Sequence, residues 1–263
     1  MDKYTIEEIL DPISVNVFFK EYWQKKHLVI RRNKYKGLFT FNMLGDYLNQ
    51  YPDVKSLQIL DYDDNDTRWC LDKVKKKKID QPMLSKQQVF DLWKKGKSLV
   101  IPFAEYQKKA LVDICFELER YFSHGQVNVY ASPKADSKSF PAHQDGTENF
   151  LFHTEGKVKW TLYKDFDNKE VLDQFTLEAG DLLYIPIGMY HKVETVGPRI
   201  LLSIHFKNKK NQTLDNFKIT SNNENNRRKW YNWLPEFEKK IKRAPQRLMN
   251  KPRWSKPYFN KKI

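Results

Sequence analysis

Apolar residues in the first half of the chain recur at the spacing of amphipathic helices. The clearest set, at i, i+3, i+4 and i+7, consists of Val15, Phe18, Phe19 and Tyr22. Ser14 stands just before this set as a predicted N-cap. Further helices are predicted over 38–50, 85–95 and 106–122, and a short strand over 28–30. We therefore expect a helix-rich N-terminal part over about residues 1–125.

The pattern changes in the second half to short apolar runs that are bounded by turn residues. Runs at 149–153 and 159–163 predict two strands that are separated at Gly156. A short apolar strand over 182–186 ends at a proline, and a further strand covers 199–206. Short strands at such close spacing are typical of a β-sandwich or a barrel. The sequence thus predicts a mainly β core over about residues 126–206.

Two histidines and one aspartate stand among these predicted strands. His143 and Asp145 are two residues apart, so on a strand their side chains would point to the same face. His191 lies 46 residues after Asp145, which leaves enough chain for intervening strands to return it to the same place. Two imidazoles and one carboxylate form a ligand set that holds Fe(II) and leaves positions open for a co-substrate and oxygen. A His-x-Asp tripeptide alone is a weak signal, so the flanking sequence has to decide.

Four segments around this triad carry motifs. They are Pro-Ala-His-x-Asp at 141–145, Asn-Phe at 149–150, Glu-Gly-x-x-Lys-Trp at 155–160 and Leu-Glu-Ala-Gly-Asp-Leu-Leu-Tyr-Ile-Pro at 177–186. Together with Tyr-Trp-x-Lys-Lys at 22–26, they resemble the JmjC/cupin oxygenases, and most closely the ribosomal oxygenase (cupin-4-like) branch. The resemblance covers roughly residues 14–206. It implies a double-stranded β-helix that binds Fe(II) and 2-oxoglutarate and hydroxylates a C–H bond.

The resemblance also implies roles for seven residues. The catalytic iron ligands would be His143, Asp145 and His191. The residues expected near 2-oxoglutarate are Asn128, Tyr130, Arg199 and His205. Of these, Asn128 and Tyr130 match positions beside the co-substrate, and His205 matches an inward polar position on the last core strand.

One position departs from the pattern of the family. Related oxygenases place Lys or Arg two residues after the glycine that Gly156 matches, where it pairs with the far carboxylate of 2-oxoglutarate, but this chain has Val158 there. Strand alternation points the flanking Lys157 and Lys159 to the opposite face, unless a bulge rotates one of them inward. Arg199, on the last predicted strand, is another candidate. The remaining alternative is weak co-substrate binding or a lost activity.

Charge divides the chain into two predicted parts. The whole chain carries +14, of which residues 207–263 contribute +13, with 17 Lys and Arg against 4 Asp and Glu. We therefore predict an oxygenase domain over 1–206 and a basic extension over 207–263, in which 230–241 has the spacing of an aromatic amphipathic helix. Such an asymmetry indicates a contact with RNA or the ribosome. The chain has only two cysteines, a polar start and no apolar run of membrane length, which predict a reducing, cytoplasmic setting.

Three functions fit these features. The first is an Fe(II)- and 2-oxoglutarate-dependent hydroxylase of a protein side chain, with a ribosomal protein as the leading substrate. The second keeps this chemistry but acts on tRNA or another RNA. The third, which Val158 motivates, is a non-catalytic cupin that binds RNA or the ribosome. The resemblance leaves a homodimer open, since members of this branch are often dimers.

Overall fold

Eight antiparallel strands dominate the described part of the molecule. The computed structural model describes residues 4–32, 34–50, 57–60, 86–122, 125–165, 167 and 170–206. The strands are β1 (Leu28–Ile30), β2 (Gln58–Leu60), β3 (Ser98–Ile101), β4 (Gly125–Ser132), β5 (Glu148–Tyr163), β6 (Val171–Glu178), β7 (Leu182–Ile185) and β8 (His191–Phe206). The predicted mainly β core is thereby confirmed.

The helices that the structure describes all precede Gly125. They are α1 (Ile6–Leu10), α2 (Val15–Val17), a π-helical turn (Phe18–Tyr22), α3 (Phe41–Gln50), α4 (Lys86–Lys94), a 3-10 turn (Ala104–Gln107) and α5 (Lys109–Glu119). The Ser14 hydroxyl accepts a hydrogen bond from the Val17 amide, as an N-cap does. Among the described residues, no helix is long and apolar enough to cross a bilayer. The basic extension over 207–263, with its predicted helix over 230–241, lies outside the described residues.

Two long strands organise the sheet. The strand order is β1-β7-β5-β8-β4-β3-β2, and β6 pairs with β5 away from this path. Strands β5 and β8 are 16 residues long each and pair from Glu148 opposite Phe206 to Leu162 opposite His191. The first part of β5 also pairs with β7, and its last part pairs with β6. Each long strand therefore pairs with more than one neighbour: β5 pairs with β6, β7 and β8, and β8 pairs with β4 and β5.

The register between β5 and β8 shifts near Gly156. Gly156 has φ +74°, and a Cβ added there would lie 1.8 Å from the carbonyl oxygen of Pro198. Only glycine fits such a close approach of two backbones. The prediction of two separate strands, 149–153 and 159–163, was therefore wrong in this detail: one strand continues through an irregularity at the glycine.

The sheet buries both of its faces. On the outer face, Phe150, Phe152 and Ile204 join a large core with the aromatic and aliphatic side chains of the N-terminal helices. On the inner face, Val158, Trp160 and residues of β6, β7 and β8 form a second cluster, and the region around this cluster is the inner space of the fold. Side chains alternate along a strand, so every second residue of β4, β5 and β8 points into this inner space. Five of the seven predicted site residues lie on β4 or β8, and the other two, His143 and Asp145, lie in the segment before β5.

Candidate metal centre

The structure brings His143, Asp145 and His191 together at one end of the inner space. One ligand atom from each lies within 4.8 Å of the others. His143 Nε2 is 3.7 Å from Asp145 Oδ1, and His191 Nε2 is 3.8 Å from Asp145 Oδ2. The two imidazole centroids are 4.4 Å apart. These three side chains can thus converge on a single cation.

Backbone contacts fix both histidines for metal binding. His143 and His191 exchange two backbone hydrogen bonds, of 3.0 Å and 2.8 Å. Nδ1 of each ring lies near a carbonyl oxygen two residues earlier, at 2.8 Å for His143 and 2.9 Å for His191. A carbonyl oxygen only accepts, so Nδ1 carries the proton and Nε2 keeps its lone pair for a metal. Burial, and then the neighbouring His143, lower the pKa of His191 to about 4, which keeps its ring neutral at neutral pH.

The segment that carries the first two ligands is not a regular strand, in contrast to the prediction. His143 forms an isolated bridge with His191, and Asp145 follows in an irregular segment before β5. Other contacts hold Asp145 in place: its carbonyl oxygen accepts from the Gly188 amide at 3.0 Å, and its Oδ2 accepts from Asn149 Nδ2 at 2.6 Å. Asn149 was not among the site residues predicted from the sequence. Strand alternation could have indicated it, because Asn149 shares the inner face of β5 with Leu151.

The remaining predicted residues lie on the same inner face. Asn128 and Tyr130 are two residues apart on β4, so their side chains point to the same face. The Asn128 side-chain oxygen accepts a hydrogen bond from Gln126 Nε2 at 2.8 Å. His205, near the end of β8, lies opposite Asn149 and is therefore close to the triad end of the sheet. Arg199 lies six residues earlier on β8 and points to the same face.

Arg199 is a buried cation whose donors are not all used. Its side chain is 2% exposed, and its Nε and Nη1 have no hydrogen-bond partner in the described part of the chain. Burial lowers the pKa of Arg199 to about 10, so it is still charged at neutral pH. Thr195 Oγ1 is likewise buried without a partner among the described residues. Unpaired buried donors of this kind cost free energy unless an anion fills the space beside them.

The register explains how Arg199 relates to the position of Val158. Gly156 pairs with Arg199, and Val158 pairs with Thr195, so the arginine lies on the strand next to the valine. Lys157 and Lys159 point outward, where they form ion pairs with Glu178 and Glu194. The alternative in which a bulge rotates one of these lysines inward is therefore wrong.

Tyr130 lies between the triad and Arg199. Burial raises the pKa of Tyr130 to about 12, and both the Asp145 carboxylate and the Arg199 guanidinium act on it electrostatically. His153, which the sequence analysis gave no role, is on the same inner face. Burial, and then the nearby charge of Arg199, lower the pKa of His153 to about 3, and its Nε2 accepts from Trp160 Nε1 at 3.3 Å. The inner space thus runs from a cation site, past polar side chains, to a buried positive charge.

The comparisons with known proteins agree with this arrangement. Residues 98–214 match the family described as the JmjC domain. This part of the chain is a JmjC domain. The matched range contains all seven residues to which the sequence analysis assigned roles.

Among curated proteins, the chain is similar to ribosomal oxygenase 2 of Rattus norvegicus, with 33% identity over 217 residues, which is 72% of this chain and 43% of the relative. It is also similar to the bifunctional lysine-specific demethylase and histidyl-hydroxylase NO66 of Drosophila erecta, with 29% identity over 72% of this chain and 31% of the relative. The chain therefore spans less than half of the length of these relatives.

Among solved structures, the ribosomal oxygenase YcfD from Escherichia coli has a TM-score of 0.51 at 15% identity. The match covers 77% of this chain and 53% of that one. At this level of identity the likeness concerns the fold, which is the cupin-type β core predicted for the JmjC domain.

Proposed function

We propose that the JmjC domain binds Fe(II) and 2-oxoglutarate and hydroxylates a protein side chain. One observation carries this proposal: the triad and a buried, incompletely paired guanidinium lie on the same inner face of one sheet. A dicarboxylate with a 2-oxo group needs both features, a metal for its oxo acid end and a cation for its far carboxylate.

The residues present fit the metal. His143, Asp145 and His191 form the two-histidine, one-carboxylate set that favours Fe(II) with open coordination positions. Fe(II) together with 2-oxoglutarate supplies the oxidation: one atom of oxygen enters a C–H bond, and the other enters the decarboxylated co-substrate. The protein orients the ligands through the backbone contacts of both histidines and through the Asn149 amide.

The residues present also fit the co-substrate. Arg199 offers Nε–H and Nη1–H to the far carboxylate, and the neighbouring Thr195 hydroxyl is a further donor. Charge-assisted bonds from a guanidinium are the strongest way to hold a carboxylate away from water. Asn128 and Tyr130 border the same space, and the apolar cluster around Val158 excludes water from it. The positive charge that Val158 does not supply is therefore supplied from β8, which argues against the non-catalytic alternative.

A ribosomal protein is the substrate that we propose first. The names of the similar proteins, ribosomal oxygenase 2 and histidyl-hydroxylase NO66, support a protein side chain on the ribosome as the target. The excess positive charge of residues 207–263 would favour an approach to ribosomal RNA around that protein. The same charge also fits the second candidate, hydroxylation of tRNA or another RNA.

The cofactor part of the proposal can be tested without a substrate. The metal-free protein is titrated anaerobically with Fe(II) and then with 2-oxoglutarate, while the visible metal-to-ligand charge-transfer band is recorded. We expect a band that needs both additions and that is absent in His143→Ala. Metal binding without a band on addition of 2-oxoglutarate would contradict the proposal and support the non-catalytic cupin.

The substrate part needs a second experiment. The iron-loaded protein is incubated with 2-oxoglutarate and either ribosomes, free ribosomal proteins or bare tRNA, and the products are analysed by mass spectrometry. Gain of one oxygen atom on a ribosomal protein is the expected result, and Asp145→Ala serves as the inactive control. Oxygen on tRNA alone would favour the RNA hydroxylase. Loss of methyl groups from lysine would instead favour the demethylase activity that the name of NO66 includes.

A further inference from the structure

A buried carboxylate on the outer face of β5 lies behind the metal centre. Glu148 is the first residue of β5 and is 0% exposed. Its Oε2 accepts hydrogen bonds from the Tyr184 hydroxyl at 2.6 Å and from the Ile187 amide at 3.2 Å. The Tyr184 hydroxyl in turn accepts from the Gln24 amide at 3.0 Å. A chain of hydrogen bonds thus links the N-terminal segment, through β7 and β5, to the turn that follows β7.

That turn contacts two of the three ligand residues. The Gly188 amide, next to Ile187, donates to the carbonyl oxygen of Asp145 at 3.0 Å. The carbonyl oxygen of Met189 accepts from Nδ1 of His191 at 2.9 Å. Three successive residues therefore contact Glu148, the Asp145 backbone and the His191 ring. A displacement of the Ile187 amide would also move the contacts with Asp145 and His191, because Ile187, Gly188 and Met189 belong to one short turn.

We propose that Glu148 is a positioning residue for the metal centre, which it orients through the turn at 187–189. This inference rests on the proposed function, because it requires a metal at the triad. Glu148 does not touch the metal itself; it holds the turn that orients His191 and Asp145. In other proteins, replacement of a residue that orients a metal ligand typically lowers the metal affinity by about ten- to a hundredfold.

The network also connects metal binding to the docking of the N-terminal segment. Trp23 stacks on the Tyr184 ring at 5.9 Å, and Phe18 meets the same ring edge-on at 4.9 Å. The Gln24 amide, one residue after Trp23, is the donor to the Tyr184 hydroxyl. Loss of the Tyr184 hydroxyl would remove this link and leave the aromatic packing in place.

The test is a titration of the metal-free 263-residue chain with Co(II), monitored through the visible d–d spectrum of the bound ion, together with thermal unfolding of the metal-free form. We expect Glu148→Gln to raise the Co(II) dissociation constant about tenfold and to change the spectrum, because the amide accepts less strongly and carries no charge. Tyr184→Phe should raise it by a smaller factor. Since Glu148→Ala removes a buried group entirely and could fail to fold, the two conservative variants decide.

Glu155→Gln is the matched control. Glu155 is also a carboxylate of β5 that accepts from a backbone amide, that of Phe41 at 3.3 Å, but it lies seven residues away from Glu148. We expect its Co(II) dissociation constant to equal that of the wild type. If the Glu148→Gln protein unfolds at a lower temperature but binds Co(II) with unchanged affinity and spectrum, the role of Glu148 is only structural and the inference is overturned. If the wild-type protein binds no Co(II), the proposed function fails and the inference with it.

Discussion

Replacement of Arg199 by methionine should make the metal-free protein more stable and the co-substrate complex much weaker. The guanidinium is 2% exposed and has two donor atoms without partners in the described part of the chain. Burial lowers the pKa of Arg199 to about 10, and this shift corresponds to a cost on the order of 3 kcal/mol for keeping the charge buried without a counter-ion. Methionine has a similar length and no charge, so this cost disappears in Arg199→Met.

The same substitution should weaken the binding of 2-oxoglutarate. Removal of one partner from a buried, hydrogen-bonded charge pair costs about 2 kcal/mol or more, which is roughly thirtyfold in a dissociation constant. Urea unfolding of the metal-free protein measures the first effect. The charge-transfer titration with Fe(II) and 2-oxoglutarate measures the second.

Two further variants make the test specific. Lys159→Met also removes a positive charge from β5, but the Lys159 ammonium forms an outward ion pair with Glu194. We therefore expect a change of less than about 1 kcal/mol in the free energy of unfolding and no change in the affinity for 2-oxoglutarate. Val158→Lys, added to Arg199→Met, places a cation on β5 instead of β8 and should restore part of the affinity. Unchanged 2-oxoglutarate binding by Arg199→Met would refute the assignment, and a large loss of stability would show that the guanidinium has a partner in the protein.

Three other changes test the site and the fold. Burial lowers the pKa of His153 to about 3, so on acidification the unfolded chain takes up a proton on this ring before the folded chain does. The wild-type protein therefore loses roughly 2 kcal/mol of unfolding free energy between about pH 7 and pH 5 through this residue. His153→Gln should not show this loss when the unfolding free energy is measured in urea at both pH values. Equal slopes would contradict a buried neutral ring. Asn149→Ala removes the 2.6 Å bond to Asp145 and should raise the Co(II) dissociation constant about tenfold, an unchanged value being the contrary result. Gly156→Ala should cost more than about 2 kcal/mol in urea unfolding or prevent folding, because its Cβ would meet a β8 carbonyl at 1.8 Å. Gly146→Ala, with no atom within 4 Å of the added Cβ, is its control and should be close to neutral.

The periodicity of the sequence predicted helices α3, α4 and α5, strands β1 and β7 and parts of β5 and β8. It did not predict strands β2, β3, β4 and β6 or the continuation of β5 through Gly156. Apolar alternation does not distinguish a strand that ends at Gly156 from one that bends there, because the difference depends on the approach of Pro198 from another strand. The same limit applies to His143 and Asp145, whose extended segment pairs only through a single bridge. Irregular backbone of this kind is stabilised by partners that are distant in sequence.

The sequence by itself determined the kind of chemistry. The identities and spacing of His143, Asp145 and His191 indicated an iron site, and the motifs around them indicated the family, because few ligand sets and few flanking patterns combine in this way. It also located Arg199 among several cations that could replace the residue missing at Val158.

Only the tertiary structure decided among those cations and found the supporting residues. Lys157, Lys159 and Arg199 have the same charge in the sequence, but the first two form outward ion pairs and the third is buried on the inner face of the sheet. Burial and hydrogen bonding depend on which strands pair, and that pairing joins residues as far as 156 positions apart, as from Leu28 to Tyr184. For the same reason Glu148 and Asn149, neighbours in the sequence, act from opposite faces of one strand on the same metal centre.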